Sequence, residues 1–256
     1  TFTNKLEDDP TLWRCIINKD KSIVTDIAGT TRDAIDSYIN YYSDRFRLID
    51  TAGIRKKSKL LDDIEYYSSV RSFRAIDESD ITAVIIDVSK GLSKQDRNII
   101  SYVIDKGKGL LIVLNKWDLI EKDNYTLKNI QDDMISSYPM LAYFPMIFIS
   151  VKNNLRVREV LKNARQVYYE RQKTIKTNEL NIFLEKTVHN YPPPSIKGKF
   201  LKIKYITQLA QSPPLFALYC NHPHLFTVNY KRYFENQLRK TFDFKGSPIR
   251  ISFRKK

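Results

Sequence analysis

The first two thirds of the chain alternate short apolar runs with longer amphipathic stretches. Arg45–Asp50 (RFRLID), Ile81–Val88 (ITAVIIDV), Gly109–Leu114 (GLLIVL) and Met146–Ile149 (MIFI) are β-branched or aromatic runs of strand length. Such unbroken apolar runs predict strands buried on both faces. Asp62–Ile76, Ser93–Asp105, Tyr125–Ser137 and Leu155–Arg171 carry apolar residues at helical spacing. Strand alternating with helix predicts a mostly parallel sheet with helices on both faces. Ligands of such sheets sit at the carboxyl ends of the strands. Ile35–Tyr42 predicts one more strand, pairing antiparallel with its successor through a turn at Tyr42-Ser43-Asp44-Arg45.

After Arg171 the pattern changes. The polar residues 173–177 predict a linker between a first domain over 1–172 and a second over 178–256. Glu179–His189 reads as a helix, and Tyr191-Pro192-Pro193-Pro194 stops it, because proline lacks the backbone donor and restricts the residue before it. Lys199–Ile206 and Leu215–Cys220 read as strands, Tyr230–Phe242 as a helix and Ile249–Phe253 as a last strand. The second domain is therefore a small α+β unit of order αββαβ.

Composition narrows the function classes. The 256 residues are 42% apolar, with 43 Lys+Arg against 29 Asp+Glu, which predicts a folded basic protein. No run approaches the roughly 20 apolar residues of a spanning helix, and the N-terminus lacks a signal-peptide layout, so no membrane role is expected. Cys15 and Cys220 are the only cysteines, too few for a zinc cluster or a disulfide framework. Buried thiols in a reducing compartment follow. His189, His222 and His224 have no carboxylate or cysteine at ligand spacing and read as surface or core residues.

The charge is unevenly placed. Thr1–Thr177 holds 29 basic and 25 acidic residues, whereas Asn178–Lys256 holds 14 and 4. A surplus concentrated in one small segment suits a phosphate-rich partner, since each Lys or Arg near a phosphate releases condensed counterions. Lys202 and Lys204 on a predicted strand, and Lys231, Arg232, Arg239 and Lys240 on a predicted helix, are the candidate RNA contacts. A plain solubilising face is the alternative.

Specific chemistry gathers at the predicted strand ends. Asp50-Thr51-Ala52-Gly53 follows one strand, where the Asp50 carboxylate can reach a magnesium ion and the Gly53 amide a terminal phosphate. Asn115-Lys116-Trp117-Asp118 closes another and is far more selective. The Asp118 carboxylate can accept from the N1 and N2 donors of guanine, a pair that adenine does not present. The Lys116 stem can cover base or ribose, and Asn115 can tie neighbouring loops. Ser150-Val151-Lys152 follows the next strand, where a backbone amide can meet guanine O6. In the loop Ala28-Gly29-Thr30-Thr31-Arg32-Asp33, the Thr31 hydroxyl can complete a magnesium shell only when a triphosphate is present, which makes the loop a switch.

DIAGTTRD, DTAGIRKKSK, DDIEYYSSVRS, NKWDL and FIS, in this order, resemble the second GTPase domain of the Der (EngA) family of bacterial ribosome-assembly GTPases. ELNIFLEK, the YPPP stretch, KIKYITQ, SPPLFALYCNHP and YKRYFENQLRKTFDFKGSPIRI resemble that family's C-terminal KH-like domain. The resemblance runs from about Thr11 to Arg254. It implies an α/β P-loop GTPase fold followed by a small α+β KH-like domain. It further implies GTP and GDP as ligands, Mg as cofactor at Thr31 and Asp50, and slow hydrolysis aided by a monovalent ion such as K. The implied partners are ribosomal RNA and a precursor of the large ribosomal subunit, bound by a protein that is a monomer off the ribosome. The implied location is the bacterial cytoplasm or an organellar matrix.

One departure stands out. A phosphate-binding loop G-x-x-x-x-G-K-[ST] is missing: the earliest glycine is Gly29, and Leu6-Glu7-Asp8-Asp9-Pro10 stands where the loop belongs. Either a segment is absent around Pro10 or the domain has lost phosphate binding. The start at Thr1 rather than methionine, and the absence of the family's first GTPase domain, favour the former. Ile54 occupies the place where some GTPases put a water-orienting glutamine, so no catalytic residue is assigned. Nor does a G-x-x-G clamp occur around Lys197-Gly198-Lys199-Phe200, so the usual KH grip on four nucleotides is not expected. The rival readings are an RNA-binding scaffold with a degenerate nucleotide pocket and a GTPase of transfer-RNA modification. The KH-like tail argues against the second.

Overall fold

The computed structural model describes residues 2–4, 37–49, 73–121, 123, 125–196 and 198–255. The chain divides into two compact units, Thr1–Gln166 and Val167–Lys256. The loop carrying Thr31, the Asp50–Gly53 turn, Cys15 and most of the predicted Asp62–Ile76 helix lie outside the described residues.

In the first unit β1 (Phe2–Asn4), β4 (Ile81–Asp87), β5 (Gly109–Asn115) and β6 (Met146–Phe148) form a parallel sheet in the order β1-β4-β5-β6. β2 (Ser37–Tyr41) and β3 (Asp44–Leu48) make the predicted antiparallel hairpin, with Tyr42 at φ 55° in its two-residue turn. Residues 73–78 are helical, α1 (Lys94–Asp105) joins β4 to β5, α2 (Thr126–Ser137) lies between β5 and β6, and α3 (Val157–Gln172) follows β6, with its residues up to Gln166 belonging to this unit. β1 was not visible as a strand in the sequence. β6 ends one residue earlier than predicted; the next amide, Ile149 N–H, still donates to the Leu114 carbonyl at 2.8 Å.

The unbroken apolar runs are explained by two cores. Alternate side chains of a strand point to opposite faces. On one face Ala83, Ile85, Leu111, Val113 and Ile147 join Val157, Val160, Leu161 and Ala164 of α3, with Ile39 and Leu48 of the hairpin. On the other, Val84, Ile86, Leu110, Ile112, Leu114 and Phe148 join Ile100 and Val103 of α1 and Met134 of α2. Each fully buried Leu or Ile contributes about 1.5–3 kcal/mol relative to exposure, so both layers favour this register. α1 starts on a capping box: the Ser93 hydroxyl accepts from Asp96 N–H, and the Asp96 carboxylate accepts from Ser93 N–H at 2.9 Å.

The second unit contains α4 (Thr177–Asn190), β7 (Ile203–Gln211), β8 (Pro214–Cys220), α5 (Val228–Phe242) and β9 (Arg250–Lys255), the predicted order αββαβ. β7 and β8 pair antiparallel, β8 and β9 parallel, and Phe183, Leu184, Ile206, Phe216, Leu218, Phe234 and Leu238 lie in one core. β7 starts later than the predicted Lys199–Ile206. Residues 200–202 are instead tied to Asn221: its side chain accepts from Lys202 N–H at 3.0 Å and donates to the Phe200 carbonyl at 2.7 Å. Lys202 therefore precedes the strand on which it was expected. Cys220 is buried, and that burial pushes its thiol pKa up. Among the described residues no helix is long and apolar enough to cross a membrane, and no group of three His, Cys, Asp or Glu side chains can hold a metal ion.

Candidate functional site

β4 and β5 end in register, with Asp87 opposite Asn115. The loops that follow β4, β5 and β6 meet there through polar contacts. Asn115 is only 3% exposed; its side-chain oxygen accepts from Val151 N–H at 3.2 Å, and its carbonyl accepts from Val88 N–H at 3.0 Å. One side chain thus ties the loop after β5 to the loop after β6, the linking role expected of it. Trp117 N–H donates to the Ile149 carbonyl at 3.0 Å, and the indole packs on Phe148 with ring centroids 4.6 Å apart. The tryptophan is a packing residue that fixes the chain between Lys116 and Asp118.

Lys116 turns the backbone through the left-handed region, at φ 66° and ψ 33°. For a lysine this conformation is uncommon, and the surrounding bonds on Asn115 and Trp117 maintain it. The turn brings Asp118 back over Ser150, whose hydroxyl donates to the Asp118 carboxylate at 2.5 Å. The Ser150 oxygen also accepts from Asn153 N–H at 3.1 Å, while its backbone exchanges two bonds with Leu155. Ser150 is fully buried, so it fixes where the carboxylate of Asp118 points.

The Lys116 ammonium lies 2.9 Å from a carboxylate oxygen of Asp87, a residue that sequence reasoning missed. The other Asp87 oxygen accepts from Ser89 N–H at 3.0 Å and from its hydroxyl at 2.6 Å. Burial pushes the Asp87 pKa up, but the hydrogen bonds from Ser89 and Lys116 outweigh burial and hold it below the ordinary carboxylate value. The available signal was an acid closing an otherwise apolar strand, which has no reason to be there unless it is paired.

Of the candidate residues, Asn115, Lys116, Asp118, Ser150, Val151 and Lys152 come together at the carboxyl ends of β5 and β6. Val151 N–H is committed to Asn115, whereas Lys152 is exposed and follows it directly. The remaining candidates Thr31, Asp50 and Gly53 lie outside the described residues.

In the second unit Lys202, Lys204, Lys231, Arg232 and Lys240 are exposed. Arg239 is not comparable to them and drops out of the set. Its side chain is 8% exposed, with the guanidinium bonded to Glu235 at 3.1 Å and to the Phe244 carbonyl at 3.3 Å.

Two family descriptions match the chain. "50S ribosome-binding GTPase" matches residues 10–116, and "KH-domain-like of EngA bacterial GTPase enzymes, C-terminal" matches residues 174–254. GTPase Der of Amoebophilus asiaticus is 43% identical over 245 residues, 96% of this chain and 57% of that protein. GTPase Der of Clostridium tetani is 44% identical over 241 residues, 94% of this chain and 55% of that protein. The chain spans a little over half the length of the curated relatives it matches. Among solved structures, Era in complex with MgGDPNP and nucleotides 1506–1542 of 16S ribosomal RNA aligns with a TM-score of 0.47 at 16% identity, over 96% of this chain and 88% of that one.

Proposed function

Because the chain belongs to the Der (EngA) family of GTPases, we propose that it binds GTP and GDP as a hydrolysing switch. In this reading it assists assembly of the large ribosomal subunit through contact with ribosomal RNA. The observation that carries the reading is the Asp118 carboxylate oriented by the buried Ser150 hydroxyl. A carboxylate held in one direction accepts from the N1 and N2 donors of guanine together. Adenine offers no such pair and would leave the acceptor unmatched. The Lys152 amide, beside the committed Val151 amide, is the donor suited to guanine O6. The Lys116 stem covers the flat face of the base while Asp87 anchors its ammonium.

Magnesium belongs to the same reading, with Thr31 and Asp50 as its candidate holders and Gly53 as a phosphate contact. All three lie outside the described residues. A monovalent ion such as potassium aids hydrolysis in this reading, and the protein acts as a monomer off the ribosome. The cytoplasm of a bacterium, or an organellar matrix, is its place. Lys202, Lys204, Lys231, Arg232 and Lys240 supply the RNA-facing charge.

A second reading has its own observation: no G-x-x-x-x-G-K-[ST] loop occurs in the sequence, and such a loop is the usual cradle for the phosphates. In that reading the chain is an RNA-binding assembly scaffold. Titration of the purified chain with fluorescent GDP and GTP analogues, with ATP as control, separates the two. Guanine-selective saturation supports the switch. Retained ribosomal RNA binding without any guanine-nucleotide binding supports the scaffold.

A further inference from the structure

Beside the start of α5 the second unit has a groove of about 410 Å³ lined by Tyr191, Pro194, Thr227, Asn229, Tyr230 and Tyr233. We propose that this groove takes an unpaired base of single-stranded RNA. The proposal rests on the reading that this unit contacts RNA, and it assigns that contact a specific pocket.

The aromatic walls are preset. The Tyr191 and Tyr230 rings lie 22° from parallel with centroids 6.0 Å apart, and Tyr233 approaches Tyr191 at 4.9 Å. The Tyr230 hydroxyl donates to the Tyr191 carbonyl at 3.2 Å, and the Tyr233 hydroxyl donates to the Thr187 carbonyl at 3.0 Å. With both hydroxyls engaged inside the domain and Tyr230 itself buried, the two tyrosines back the exposed Tyr191 ring rather than meet a ligand themselves. Little ordering is then left to be done on binding. Tyr191 itself is 55% exposed, so its ring is available for stacking. Asn229 is exposed at the rim and carries both a donor and an acceptor, the pair needed to meet a base edge.

The surroundings select a polyanion. From Lys186 to Phe234 the chain has seven Lys or Arg residues and no Asp or Glu. Lys231 and Arg232 directly follow Tyr230, and Arg232 is three residues from Asn229, so the two share one strip of the helix surface. An exposed ring face beside exposed cations matches single-stranded RNA, whose bases are unstacked and whose backbone is charged. A duplex keeps its base faces hidden. Proline-rich peptides also dock in aromatic-lined grooves, but they make no use of these cations.

The test uses the full chain and fluorescence anisotropy with a labelled single-stranded RNA of mixed sequence, and the matching duplex, across a range of salt. Tyr191→Ala should weaken single-strand binding about fivefold or more without changing the salt slope, and Tyr191→Phe should keep the affinity. Arg232→Glu should weaken binding and flatten the slope by about 0.7. If Tyr191→Ala lowers the melting temperature, the exposed Asn229→Ala replaces it and should weaken the single strand more than the duplex. Wild-type affinity in these groove variants, with a slope still flattened by Lys204→Glu, overturns the pocket and leaves the RNA reading standing. Absence of any salt-sensitive binding by the wild-type chain overturns the RNA reading itself. A proline-rich peptide whose saturable binding is lost in Tyr191→Ala, with RNA affinity unchanged, overturns the pocket in favour of a peptide site.

Discussion

At the carboxyl ends of β5 and β6, Asn115 and Ser150 are buried, and each polar atom described above has a named partner. On the second unit Lys202, Lys204, Lys231, Arg232 and Lys240 stand exposed, and no carboxylate pairs with them among the described residues. The two arrangements suit two kinds of recognition. A base edge is read by the direction of its donors and acceptors, so the reading group must be held still, and a wrong partner leaves a buried group unmatched. A phosphate backbone is read by summed charge, which tolerates mobile side chains and acts over a Debye length of about 8 Å at physiological salt.

The largest effect should come from breaking direction alone. Asp118→Asn keeps the size of the side chain but places a donor where guanine also has a donor. GTP affinity should fall tenfold or more, the scale of a lost charge-assisted bond, while xanthosine triphosphate, with a carbonyl at that position, should gain. Competition titrations with the two nucleotides check both halves. Unchanged GTP affinity would remove Asp118 from the base site.

Next comes the buried tie. Asn115→Ala removes the buried side-chain acceptor of Val151 N–H, and stability should drop by about 1–3 kcal/mol. Lys231→Ala on the exposed face should stay within about 0.5 kcal/mol of wild type. Urea unfolding of the two variants side by side measures the contrast. Equal losses would mean that the comparison has been drawn at the wrong place.

A smaller effect sharpens the acid at the end of β4. The folded Asp87 pKa lies below its unfolded value, so the pairing contributes stability that is present above about pH 4, the unfolded value, and is lost as pH falls through the lower folded value. The stability difference between wild type and Asp87→Asn should therefore shrink from about pH 6 to about pH 3. A difference that stays constant with pH would show that Asp87 acts by shape rather than charge. The smallest change per residue is expected from the basic face. Reversing Lys202 or Lys204 should reduce the slope of log RNA affinity against log salt by about 0.7 each, with the melting temperature unmoved.

Much of the first unit was legible because local and tertiary signals agree there. The runs ITAVIIDV and GLLIVL are largely apolar because each strand feeds both cores, and the amphipathic stretch from Ser93 to Asp105 contains the whole of α1. The cluster of Asn115 to Asp118 with Ser150 was legible for the same reason: the first four are contiguous, and Ser150 follows the next strand. What failed to show was anything assembled across distance. Asp87 meets Lys116 only because β4 and β5 lie in register, and Tyr191 meets Tyr230 only through the packing of α4 against α5. The late start of β7 has the same origin, since the Asn221 side chain captures residues 200–202. Arg239 looked like its basic neighbours because charge counting does not register an internal partner such as Glu235.

The strand β5 carries one further consequence. Leu110 to Leu114 are entirely buried and divide between the two cores, so separating any of their amides from the sheet requires disrupting both layers together. In deuterated water these amides should therefore be among the last of the unit to exchange, by the rare global opening rather than by local fraying. Asn115 is the next residue along. The loop proposed to select the base therefore begins where this late-exchanging strand ends.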